Sequence, residues 1–119
     1  MAVLFLEYPK CSTCRKAKNW LDEHGVEYID RHIVEDNPTA DELGQWLHAS
    51  GLPLRRFFNT SGMLYRELGV KEKLDAGMDE AEALALLATD GMLVKRPLLV
   101  TDDVVIPGFK EDTWAKALL

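Results

Sequence analysis

The sequence predicts an α/β fold, a sheet covered by helices with a helical insertion in the middle of the chain. Three observations carry that prediction. A strand, a helix and a second strand follow one another within about thirty residues, the size of one βαβ unit. The central stretch has helical apolar spacing and capping pairs, and the last part holds two β-rich runs and a closing helix. At 119 residues there is room for one domain with one core. Residues 1–119 are therefore expected to form a single domain, with the helical insertion over roughly 38–92. The order βαβ, helices, ββα packs naturally as a two-layer α/β sheet.

Each element has its own signal. Val3 to Leu6 is a short apolar run that reads as a buried strand, broken by Pro9. From Ser12 to His24 the pattern is helical, with Ala17 and Leu21 four apart, Trp20 beside them and Gly25 as a stop. Val26 to Ile33 alternates weakly and predicts a second strand. Thr39 and Glu42 form a capping-box pair ahead of Leu43, Trp46 and Leu47, and Gly51 and Pro53 end that helix. Ser61 to Leu74 predicts one or two short helices interrupted near Gly69. Asp79 and Glu82 cap another helix, carrying Ala83, Leu84, Leu86 and Leu87. Leu98–Thr101 and Val104–Ile106 are β-rich runs around an Asp102-Asp103 turn; Gly108 breaks the second, and Asp112 to Leu119 predicts a last helix. Trp20, Trp46 and Trp114 fall on apolar helical faces and are expected in the core.

Charge and composition narrow the function. A net charge of −6 argues against direct binding to nucleic acid, which needs clustered Lys and Arg. No apolar run approaches the ~20 residues of a membrane helix, and the N-terminal run is too short and wrongly flanked for a signal peptide. The expected location is the cytoplasm, where thiols are kept reduced and a permanent structural disulfide is not expected. The pairs Asp22-Glu23 and Glu35-Asp36 are adjacent in sequence, so they read as solvated charges, not acid–base pairs. Arg55-Arg56 reads equally as an anion patch or a solvated loop.

Cys11-Ser12-Thr13-Cys14 stands where the first strand turns into the first helix. A helix start offers unpaired N–H groups and a positive dipole end, which stabilise a thiolate. Lys10 and Arg15 add positive charge on either side. Such surroundings bring a thiol from ~8.5 into the ~3.5–7.5 range. Cys11 is then the candidate nucleophile, and Cys14, one turn along, is placed to resolve a mixed disulfide or sulfenic acid formed on it. CxxC also serves as half of a zinc site, but no second CxxC or His pair accompanies it, and His24, His32 and His48 fall on separate elements. No metal is expected. Inert buried cysteines are the remaining alternative.

Five stretches carry a family resemblance: Tyr8 to Ala17, Phe57 to Gly62, Tyr65 to Gly69, Lys95 to Val100, and Pro107 to Phe109. Together they make the whole chain resemble the arsenate reductase (ArsC)/Spx branch of the thioredoxin-like fold, closest to small Spx-like relatives that have a CxxC pair and carry arsenate reductase labels. The resemblance implies a four-stranded mixed sheet, Cys11 as nucleophile, Pro97 as a cis-proline facing it, and Arg96 pointing into the same pocket. It extends the substrate-binding set to Lys10, Ser12, Thr13, Arg15 and Asn59.

Two departures from the arsenate reductase pattern bear on activity. Those enzymes grip the oxyanion with three arginines. Here Arg96 keeps one place, while Asn59 stands at the second and Gly108 at the third. Each lost charge-assisted hydrogen bond is worth ~1.5–3 kcal/mol, so oxyanion binding is expected to be weaker by roughly a hundredfold to ten-thousandfold. Lys10, Arg15, Arg55, Arg56 and Lys110 are the cations near enough in sequence to compensate. Cys14 is the other departure, and the CxxC pair is the Spx-like feature. The resemblance thus implies a Cys11–Cys14 thiol–disulfide protein with no bound cofactor. Its substrate is expected to be a small thiol, an oxyanion or a protein disulfide, and its thiol donor glutathione with glutaredoxin, or thioredoxin. Arsenate reduction is the enzymatic alternative, and an Spx-like redox switch binding RNA polymerase is the regulatory one.

Overall fold

Four strands form one mixed sheet in the order β2-β1-β3-β4 in a computed structural model that describes residues 2–119; Met1 lies outside the described residues. In chain order the elements are β1 (Val3–Glu7), α1 (Ser12–Glu23), β2 (Ile29–His32), α2 (Ala40–Ser50), α3 (Met63–Glu67), α4 (Val70–Asp75), α5 (Glu80–Leu87), β3 (Leu98–Thr101), β4 (Val105–Pro107) and α6 (Glu111–Leu118). Strand β1 runs parallel to β2, with Leu4 opposite Ile29, and antiparallel to β3, with Leu6 opposite Leu98. This is the four-stranded mixed sheet of a thioredoxin-like fold.

The period-2 alternation of β1 decides the layering. Val3 and Phe5 face α1 and α6, packing with Ala17, Trp20, Leu21, Leu99 and Trp114. Leu6 faces the other way, into a larger core with Leu43 and Leu47 of α2, Tyr65, Val70, Ala83 and Leu87. The expected two layers are therefore three. The insertion is not an appendage; it covers the second face of the sheet, which would otherwise expose Leu6, Leu98 and Ile33.

Local chemistry explains most boundaries. Thr39 and Glu42 complete a reciprocal capping box at α2, and Gly51 ends that helix at φ 66°. Asp79 caps α5 by accepting the Glu82 N–H. Strand β2 is shorter than the predicted 26–33. Gly25 is left-handed and the Val26 N–H bonds the Leu21 carbonyl, so the residues after α1 are spent ending the helix. Trp20 and Trp114 are buried as expected. Trp46 is only half-buried, with the Arg31 guanidinium 5.9 Å from its ring centroid. Arg31 also makes a bidentate pair with Glu42 at 2.7 and 2.9 Å, tying β2 to the start of α2.

Glu7, at the end of β1, is an anomaly with a measurable consequence. Its carboxylate is almost fully buried; Oε2 lies 3.5 Å from Lys18 Nζ and has no hydrogen-bond partner. Burial, then the adjacent Asp30 carboxylate, pushes Glu7 up from 4.5 to about 7, against the pull of Lys18. A carboxyl raised in the folded state contributes stability that is full below its unfolded value and is lost as pH rises through the folded one. The fold is accordingly expected to lose about 1–3 kcal/mol between pH 5 and 8 from this group. Chemical denaturation across that range checks it, and Glu7→Gln should flatten the dependence.

Candidate functional site

The turn from β1 into α1 sets the first cysteine. The Cys11 N–H bonds the Tyr8 carbonyl at 2.9 Å, and its own carbonyl accepts the first helical bond from Arg15 at 3.1 Å. Cys11 is thus the N-cap of α1, extended at φ −85° and ψ 125°, with its sulfur over the first turn. No acidic residue occupies that turn, so the positive end of the helix is not neutralised.

The two thiols diverge. Burial alone would raise Cys11, but it is outweighed by the Cys14 N–H, the Cys14 thiol, the Thr13 N–H and the Arg96 charge, and the net shift is downward. Cys14 lies on the inward face of α1, fully buried. Burial is the main reason its thiol is pushed up to about 12, and the neighbouring Cys11 adds to it. Both cysteines are free. A half-buried thiolate-former beside a buried protonated thiol is an asymmetric pair.

The opposite wall comes from far along the chain. An antiparallel bridge between Phe58 and Val94, with Asn59 N–H to Leu93 O at 2.8 Å and Lys95 N–H to Phe57 O at 2.8 Å, sets Asn59 beside the Lys95–Pro97 segment. The Arg96–Pro97 peptide is cis, and the Pro97 carbonyl accepts the Gly108 N–H at 2.8 Å. Arg96 is half-buried. One guanidinium nitrogen donates to the Met92 carbonyl at 3.2 Å, the guanidinium carbon sits 5.3 Å from the Tyr8 ring centroid, and buried Nε has no partner.

These pieces enclose a cavity of about 330 Å³ lined by Cys11, Thr13, Asn59, Lys95, Arg96 and Gly108, among others. Of the residues singled out from sequence, Cys11, Thr13, Asn59 and Arg96 meet there, and so does Gly108. Cys14 is buried behind Cys11 and Pro97 is buried under the wall; neither lines the cavity. Lys10, Ser12 and Arg15 are exposed and do not line it, because they fall on the outer side of the turn and of α1. Arg96, across the cavity, adds a positive charge that lowers Cys11, while Lys10 and Arg15 stay outside the cavity. Lys95 was not singled out as a site residue, yet it lines the cavity; its place next to Arg96 was the available signal. Of the alternative cations, Arg55 is committed to Asp75. Among the described residues, no three His, Cys, Asp or Glu side chains gather as a metal site, and no helix is long and apolar enough to cross a membrane.

The ArsC family profile matches residues 6–117. The uncharacterized protein YusI of Bacillus subtilis is 57% identical over 114 residues, covering 96% of each chain. The global transcriptional regulator Spx of Staphylococcus epidermidis is 30% identical over 112 residues, which is 94% of this chain and 82% of that one. A crystal structure of an ArsC family related protein from Bacteroides fragilis superposes with a TM-score of 0.93 at 57% identity, covering 98% of this chain and 97% of that one.

Proposed function

Because this chain belongs to the ArsC family, a family of thiol redox chemistry, we propose that it is a cytoplasmic thiol–disulfide oxidoreductase in which Cys11 is the nucleophile and Cys14 the resolving thiol. The observation that carries this reading is the asymmetry of the pair: Cys11 lowered at a helix N-cap, Cys14 held at about 12 behind it. The Cys11 thiolate attacks a disulfide RS–SR, forming Cys11–S–SR and releasing RS⁻. The charge on Cys11 then disappears, and with it the part of the upward push on Cys14 that Cys11 supplies. Arg96 still favours a Cys14 thiolate. The Cys14 proton passes to the RS⁻ released in the first step, its sulfur attacks Cys11, and a second RS⁻ departs from a Cys11–Cys14 disulfide. Glutathione with glutaredoxin, or thioredoxin, restores the dithiol.

A specific observation favours arsenate as a second substrate of the same cavity: the half-buried Arg96 side chain lines it with Lys95 beside it and is in no ion pair, which suits a small oxyanion. The 30% identity to Spx keeps a third reading, a redox switch that acts by binding RNA polymerase. Thiol consumption with glutathione and glutaredoxin separates them. A small disulfide is expected to drive turnover, and arsenate to do so far more slowly, since Asn59 and Gly108 carry no charge. Turnover with arsenate alone would make arsenate reduction the primary function. Turnover with neither would leave the switch.

A further inference from the structure

The Cys11 cavity does not end at the active site. It adjoins a second cavity of about 260 Å³ through their shared residues Lys95, Gly108 and Phe109. That one adjoins a third, of about 450 Å³ between the end of α2, β4 and α6, through Arg56, Ile106 and Thr113. The result is one track from Cys11 along the edge strand β4 to the outer face of α6. Its cations come in sequence: Arg96 and Lys95 at the cysteine, Lys110 and Arg56 in the middle, Lys116 at the far end. Asp103 is the only carboxylate among the lining residues.

Two facts make this arrangement informative. The protein carries a net charge of −6, so five cations along one groove run against the overall balance. Among the described residues, the paired cations are Lys18, Arg31 and Arg55, with His48 on Glu80; none of the five track cations is in an ion pair. They are spaced along a line, whereas a small oxyanion or a low-molecular-weight thiol fills the first cavity and leaves Arg56, Lys110 and Lys116 unused. The track also carries an apolar floor at Ile106 and Phe109, suited to side chains between charges.

We propose that this track docks an extended acidic segment of a protein substrate and delivers a disulfide in it to Cys11. This rests on the reading of Cys11 as the nucleophile and adds to it the class of substrate. In the docked complex the Cys11 thiolate takes one sulfur of the substrate disulfide, and the other leaves as the substrate's own thiolate. The carboxylates lie along Lys110, Arg56 and Lys116, so charge pairing speeds encounter and fixes the register of the segment.

The test uses the symmetrical disulfide of a short peptide with aspartates on both sides of its cysteine, and a serine-flanked peptide disulfide as reference. At low salt the acidic probe is expected to form the mixed disulfide about tenfold faster or more, an advantage that shrinks as salt is added. Arg56→Glu with Lys116→Glu should erase the advantage. Lys71→Glu with Lys73→Glu on α4, the same change in net charge away from the track, should keep it. The rate with neutral 2-hydroxyethyl disulfide should be equal in all three proteins and shows that Cys11 is intact. An acidic probe no faster than the reference, or an advantage that survives Arg56→Glu with Lys116→Glu, overturns the proposal. If 2-hydroxyethyl disulfide does not react at Cys11 even in the unmodified protein, the redox reading fails instead. Docking is then read from fluorescence anisotropy of the acidic peptide with serine in place of its cysteine, which should bind the unmodified protein and not the track variant.

Discussion

Cys11→Ser is expected to lower the rate of disulfide reduction by about a thousandfold or more while leaving the thermal unfolding midpoint nearly unchanged. The loss is chemical. Serine keeps the size and the N-cap geometry, and as an N-cap it is at least as good as cysteine. What it lacks is an accessible anion at neutral pH, which in Cys11 is favoured by the Thr13 and Cys14 N–H groups and by Arg96. The second thiol does not substitute, because Cys14 is fully buried and its thiol is held at about 12. Thiol release from a small disulfide, followed together with a melting curve, checks both halves. Substantial activity in a folded Cys11→Ser protein would move the nucleophile elsewhere.

Gly91→Ala carries the largest expected structural penalty, about 3 kcal/mol or more. A Cβ at position 91 would stand 2.0 Å from the Ile33 carbonyl oxygen and 2.8 Å from Asn37 Oδ1. The first of these is backbone, held by the Ile33 N–H to Glu7 O bond at 2.8 Å, so it has nowhere to yield. Position 91 opens the short 3₁₀ turn at Gly91–Leu93 that leads into Val94, Lys95 and Arg96. Displacing that turn therefore also shifts the cavity wall, and disulfide reduction should fall along with stability. Gly44→Ala is the control. Its Cβ meets only the end of the Leu84 side chain at 3.3 Å, inside a helix where alanine is favoured by up to ~1 kcal/mol. Urea denaturation of the two variants should separate them clearly.

The contrast between these positions shows what a sequence reading reaches. Thr39 with Glu42, Asp79 with Glu82, Gly51 and Gly69 act within a few residues of themselves, and each marks its element where expected. The cysteine pair was legible for the same reason, since a helix start is a local environment. Gly91 gave no signal, because its demand comes from Ile33, a contact made only after the insertion folds back. The same holds for Glu7, whose surroundings, Lys18 on α1 and Asp30 on β2, are set only by packing. Lys10 and Arg15 flank Cys11 in sequence, yet they are exposed outside the cavity. Arg96, eighty-five residues away, faces it instead. The third layer is not legible in the sequence because layering follows from which face of β1 each helix covers, and spacing along the chain does not record that.

The most direct test of the pairing of Cys11 with Cys14 is the count of thiols released when the fully reduced protein meets a small symmetrical disulfide without any reductant. The unmodified protein is expected to release two thiols per chain and to end, by mass, as an internal disulfide. Cys14→Ser is expected to release one and to stop at the mixed disulfide on Cys11. A Cys14→Ser protein that behaves like the unmodified one, or an unmodified protein that stops after one thiol, would contradict the account.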